Sequence, residues 1–165
     1  MSVKCGLPPI ADKSTRLFIL GSLPGERSLQ EQRYYAHPTN QFWRLVGCVI
    51  GEELQGRDYD ERLATLREHA IGLWDVVGAA SREGSGDAAI RNAMHNDIGG
   101  LKRDFPLLRA IGLNGGLATR EGTRLLADIP GLTLIGLPSS SAANARMSFD
   151  EKAAAWAELR RYVQP

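Results

Sequence analysis

The apolar positions of the chain gather into four short, almost unbroken runs: RLFILG (16–21), AIGLWDVV (70–77), LLRAIGLNG (107–115) and LTLIGLP (132–138). A strand with one wet face alternates apolar and polar residues, whereas a strand covered on both faces has little use for polar side chains. The four runs therefore predict parallel strands buried inside a sheet. Between them the pattern turns helical. Residues 40–50 put Phe42, Trp43, Leu45, Val46 and Val49 on one broad face, and residues 58–70 repeat Leu63, Leu66 and Ala70 with charges elsewhere. Residues 115–130 run to a proline stop. In SFDEKAAAWAELRRYV, Ser148 followed three residues on by Glu151 is a capping-box pattern, with Ala153, Trp156 and Leu159 as the docking stripe.

Strands alternating with helices predict an α/β protein, a three-layer α/β/α sandwich around a central, mostly parallel four-stranded sheet. A chain of 165 residues suits one domain with one sizeable core, spanning 1–165. No linker rich in Pro, Gly or Ser divides it, and REGSGD (82–87) reads as a flexible loop inside the domain.

Composition removes several classes of function. The formal net charge of +1 gives no global pull toward nucleic acid, so such a contact needs a local patch. Only Lys4, Lys13, Lys102 and Lys152 among the 20 basic residues are lysines, and arginine forks phosphates with fixed geometry. High-GC codon usage gives the same skew. No apolar run approaches the roughly 20 residues of a membrane span, and MSVKCGLPPI lacks the apolar stretch of a signal peptide, so a cytoplasmic monomer with no membrane partner is expected. Two cysteines cannot ligate a four-thiolate cluster, and Cys48, inside FWRLVGCVIG, reads as a buried small hydrophobe. His37, His69 and His95 lack zinc-site spacing, so neither metal nor cofactor is expected.

In open parallel sheets ligands bind beyond the carboxyl ends of the strands. Here those ends are GSLPGERS (21–28), Trp74-Asp75, Asn114-Gly115-Gly116 and LPSSSAANAR (137–146). A further cluster, YYAHPTNQFW (34–43), precedes the first long helix. The residues alone leave two readings of each. Gly21 and Gly25 serve a turn or let backbone amides approach a ligand. Asn40 caps a helix or faces a site. His37 shapes a turn or lines the site, and Tyr34 packs on the core. Asp75 accepts from backbone amides or orients a ligand. Asn114 touches a ligand or braces a loop, and Arg146 is a solvated charge or a contact.

GSLPG, then YYAHPTNQFW, then LPSSSAANA, taken in that order, resemble the uracil-DNA glycosylase superfamily, and more closely its hypoxanthine-DNA (deoxyinosine) glycosylase branch. The resemblance covers about Leu17 to Trp156. It implies a DNA partner containing a deaminated base, and hydrolysis of the bond between that base and deoxyribose. Asn40 falls on the branch's catalytic asparagine, which holds the attacking water. Leu23 stands where much of the superfamily has a water-activating Asn or Asp, a departure that disfavours uracil chemistry. Gly21, Ser22, Leu23, Pro24 and Gly25, with Tyr35, His37, Asp75 and Asn114, would surround the base, Tyr35 by stacking. Ser139, Ser140, Ser141, Asn144 and Arg146 would meet the DNA strand, although Ala142 stands where the family often has Pro. Uracil is the runner-up base. A non-catalytic nucleic-acid binder and a serine hydrolase are rivals from other classes; the second lacks a GxSxG or SxxK motif.

Overall fold

The computed structural model describes residues 2–163. Four parallel strands form the central sheet: β2 (Leu17–Gly21), β3 (Ile71–Asp75), β6 (Ala110–Asn114) and β7 (Thr133–Leu137), in the order β3-β2-β6-β7. Each lies inside one of the four apolar runs. Side-chain alternation along β2 assigns the layers. Leu17 and Ile19 point into one core with Leu45, Leu66 and Trp156, which belong to α2 (Phe42–Ile50), α3 (Tyr59–Glu68) and α6 (Phe149–Trp156). Phe18 and Leu20 point into the other with Leu101, Ala118 and Leu126, from α4 (Leu101–Asp104) and α5 (Gly116–Leu126). This is the expected three-layer sandwich. The remaining helix, α1 (Glu26–Glu31), follows β2 directly.

The capping box of α6 is present: Ser148 Oγ accepts from the Glu151 amide at 3.1 Å, and a Glu151 carboxylate oxygen accepts from the Ser148 amide at 3.1 Å. Residue types at the helix start thus fix where α6 begins and which face it presents.

Two expectations are corrected. First, the run AIGLWDVV is not one strand. β3 ends at Asp75, and the chain passes through Val76 into β4 (Val77–Ser81) of a second sheet. That sheet is antiparallel, in the order β1-β4-β5, with β1 (Val3–Cys5) and β5 (Arg91–His95) at its edges. The Val76 and Val77 amides donate to the carbonyls of Gly21 and Ser22, so the join between the sheets is tied to the end of β2. Continuous apolarity hid the break, and β5, RNAMH, is exposed throughout and carries no apolar signal. Second, Cys48 is exposed. It lies four residues after exposed Arg44, on the solvent side of α2, while Leu45, Val46 and Val49 take the core side.

Candidate active site

The order β3-β2-β6-β7 reverses at β2, where a crevice opens beyond the carboxyl ends of the strands. A cavity of about 590 Å³ occupies that place, within the usual range of small-ligand sites. Its walls come from six segments: the end of β2 with the loop after it, the YYAHPTN segment, the end of β3, the loop before β5, the end of β6, and the loop after β7. Asn40 and the serine-rich loop therefore face one hollow.

Asn40 sits at the mouth of α2. Its Oδ1 accepts from the Phe42 amide at 2.9 Å, an Asx turn that fixes the orientation of the amide, while the N-cap position itself is Gln41, without a side-chain cap bond, and not Asn40 as the helix-cap reading had it. The residue that holds the first helical amide is thus also a wall of the site. The Nδ2 group has no protein partner among the described residues and is left to donate elsewhere. The turn before it is closed by the Asn40 amide donating to the His37 carbonyl at 3.0 Å. His37 Nδ1 accepts from the Thr39 amide at 3.2 Å, so this histidine shapes the turn and also lines the cavity.

Tyr35 adopts a left-handed backbone conformation, φ 53°, which few non-glycine residues take without a compensating fixture. The fixtures are visible. Its ring stacks on Phe42 with centroids 3.8 Å apart and planes 10° from parallel, and the neighbouring Ala36 amide donates to Ser28 Oγ at 3.1 Å. The phenol oxygen accepts from Asn114 Nδ2 at 3.2 Å. Burial, then the nearby Asp75 charge, push the Tyr35 phenol far above its ordinary range, so it stays protonated. Tyr34 is 3% exposed and donates from its hydroxyl to the Pro8 carbonyl at 2.7 Å, mainly a core residue that touches the cavity edge.

Asp75 departs from its expected structural role. It is 4% exposed, yet among the described residues its Oδ2 has no partner and no backbone amide donates to either oxygen. A carboxylate so placed is costly when ionised. Burial first, and the Asp87 charge second, push it up to about 7, while Arg82 opposes them. The site therefore holds a carboxyl that exchanges its proton near neutrality.

Two polar ties shape the walls. Asn114, at the end of β6, accepts the Ser140 amide at 2.9 Å and donates to Ser140 Oγ at 2.9 Å. With the Tyr35 bond, all the bonds of its side chain go to neighbouring walls, which makes it a brace. Ser140 is 1% exposed and turned inward, unlike Ser139 and Ser141 beside it. Opposite, Arg82 is 2% exposed and donates to the carbonyls of Leu23 and Pro24, gripping the loop after β2 from beneath. Leu23 packs with Val77 and Ala80.

Of the residues singled out from sequence, all line the cavity except Arg146, which is exposed outside it. Sequence reasoning missed the wall made by Ser85, Gly86 and Asp87. Ser22 Oγ donates to Asp87 Oδ1 at 2.6 Å, and the Glu26 amide donates to Ser85 Oγ at 2.9 Å. A Gly-Ser-rich run carries no sign of such anchoring. The arginine at its head, following a small-residue strand, was the one available hint.

A sandwich of this topology with a polar cavity over its strand ends defines the class: an α/β protein with an open, ligand-sized site at its sheet edge. The family model of the uracil DNA glycosylase superfamily matches residues 8–160, and the chain belongs to that superfamily. Two relatives, both named hypoxanthine DNA glycosylase, are 49% identical over 146 residues (Methanosarcina acetivorans, 88% of this chain and 91% of that protein) and 43% identical over 155 residues (Methanosarcina barkeri, 94% and 96%). A solution NMR structure of a candidate uracil DNA glycosylase from Methanosarcina acetivorans superposes with a TM-score of 0.86 at 45% identity, covering 98% of this chain and 99% of that one. Among the described residues no helix is long and apolar enough to cross a membrane.

Proposed function

We propose that the protein is a monofunctional DNA glycosylase that takes a deaminated base, hypoxanthine first, out of the duplex and hydrolyses its bond to deoxyribose. The supporting observation is the shared cavity: Asn40, Tyr35, Asp75 and the serine-rich loop surround one space large enough for a purine. Two relatives named hypoxanthine DNA glycosylase, alike over nearly the whole chain, direct the choice of base. Hypoxanthine pairs weakly with thymine, so extruding it costs less than extruding a normal adenine.

The chemistry suits an amide. Breaking the N-glycosidic bond leaves positive charge on the sugar and negative charge on the departing base. Water then attacks late, onto a nearly formed cation, and its placement counts for more than a strong base. Asn40 has an Nδ2 donor and a second Oδ1 lone pair to hold that water, and its tie to Phe42 keeps both in place. On the base side, Asp75 in its protonated form offers an O–H donor to the departing anion. Tyr35, immobilised against Phe42, gives a stacking surface, a contact worth ~1–3 kcal/mol per base. Ser139, Ser141 and Asn144 at the rim meet the phosphates of the strand.

Duplexes carrying inosine, uracil, xanthine or no lesion, incubated with excess enzyme and then cleaved by alkali at abasic sites, test this reading. Inosine should be cut fastest. Asn40→Ala should lower that rate by ~10²-fold or more while duplex binding survives. A panel uncut in every lane refutes the catalytic reading, and rapid cutting of uracil alone refutes the choice of base.

A further inference from the structure

Lys152, on α6, is 1% exposed, and among the described residues no carboxylate lies within ion-pair distance of it. A buried ammonium without a counter-ion is expensive, and an apolar side chain of the same length would pack there at less cost. Its bonds show where the charge is spent. Nζ donates to Gln41 Oε1 at 2.8 Å and to the Ser141 carbonyl at 3.1 Å. Gln41 is the residue after Asn40, and Ser141 lies in the loop after β7. The same two segments meet once more where the Gln41 amide donates to the Ser140 carbonyl at 2.9 Å. One turn further along α6, Trp156 Nε1 donates to the Pro138 carbonyl at 2.9 Å.

We propose that Lys152 is a positioning residue: its ammonium clamps the Asn40–Gln41 turn to the serine-rich loop and so sets the distance between the water-holding and strand-holding walls of the cavity. It touches no substrate itself. Three donors on one compact centre can hold a side-chain amide and a main-chain carbonyl at once, which a methionine cannot do. Charge-assisted bonds to neutral oxygens are stronger than those between neutral partners, so the clamp resists the thrust of a strand entering the cleft. Among the described residues no lysine lines the cavity, and Lys152, bonded to two of its walls with Nζ engaged and buried, is no nucleophile. This agrees with a monofunctional glycosylase.

The inference rests on the glycosylase reading for its catalytic consequence but not for its structural one, and two measurements separate them. Amide hydrogen exchange is followed for peptides covering 36–44 and 137–146 in the wild type, Lys152→Met and Gln41→Leu. Both segments should lose protection together in each variant, with the central strands unchanged. Loss in neither segment, or in one alone, overturns the clamp whether or not the protein excises bases. Single-turnover excision of inosine from a duplex is then read against duplex affinity. Lys152→Met and Gln41→Leu should each slow excision on the order of 10²-fold with duplex affinity little changed, and the double variant should be no slower than the worse single. Additive losses, or full activity in Lys152→Met, overturn the catalytic consequence. If Lys152→Met fails to fold, Gln41→Leu, which breaks only one bond of the clamp, decides. A wild type without activity on any lesion counts against the glycosylase reading alone, and hydrogen exchange still judges the clamp.

Discussion

Asn114 and Ser140 hold each other twice, through the Ser140 amide at 2.9 Å and the Ser140 hydroxyl at 2.9 Å, and so fasten the end of β6 to the loop after β7. The second amide hydrogen of Asn114 reaches the Tyr35 hydroxyl, and one side chain thereby braces three walls of the cavity. Replacing it with alanine leaves a buried amide and hydroxyl without partners, at ~1–3 kcal/mol for each group left unsatisfied. Asn114→Ala should lower the urea midpoint with an unchanged slope, and should slow excision of inosine more than it weakens duplex binding.

The buried Asp75 predicts a pH dependence of stability with a definite sign. Its folded value of about 7 lies above the ordinary 3.8, so between these limits the native state keeps a proton that the unfolded chain has lost. The stability contributed by the neutral form is complete below about pH 4 and falls as pH rises, by up to ~1.4 kcal/mol per pH unit, levelling above about pH 7. Asp75→Asn removes this loss. The stability difference between Asp75→Asn and wild type should therefore grow in favour of the variant from pH 4 to pH 7 and then stay flat. Urea unfolding across that range measures it; a constant difference contradicts the assignment.

Gly21 closes β2 against the floor of the site. A Cβ there would lie 2.6 Å from Asp75 Oδ1, closer than such atoms approach, and 3.0 Å from the Tyr35 hydroxyl, a tight contact. Gly21→Ala must push Asp75 aside and crowds the Tyr35 hydroxyl. Overpacking of this kind costs ~1–3 kcal/mol. Inosine excision should fall well beyond what the loss of folded protein explains, seen by comparing activity with circular dichroism at one temperature.

Ser148 tests an element that the sequence specified by itself. Ser148→Ala removes the bond to the Glu151 amide, and a lost N-cap costs ~1 kcal/mol. The melting temperature should drop by a few degrees while the strands keep their exchange protection, because α6 frays only from its first turn.

The sequence determined the layers and the identity of most cavity walls. Unbroken apolar runs can be satisfied only by strands covered on both faces, and helical spacing tells which side chains do the covering. The strand ends followed, since ligands of parallel sheets meet the carboxyl edge, and GSLPG, most of YYAHPTN, Asp75, Asn114 and SSSAAN line the cavity. Tertiary structure alone decided the rest. Period cannot mark the break at Val76, where one apolar run serves two sheets, and exposed β5 gives no apolar period to read. Nor does any local pattern show that Lys152, 111 positions from Gln41, spends its charge there, or that Arg82 lies buried beneath Leu23 and Pro24. Such bonds join residues far apart in the chain, and a sequence states what each side chain can bond but not which distant partner the folded backbone brings within reach.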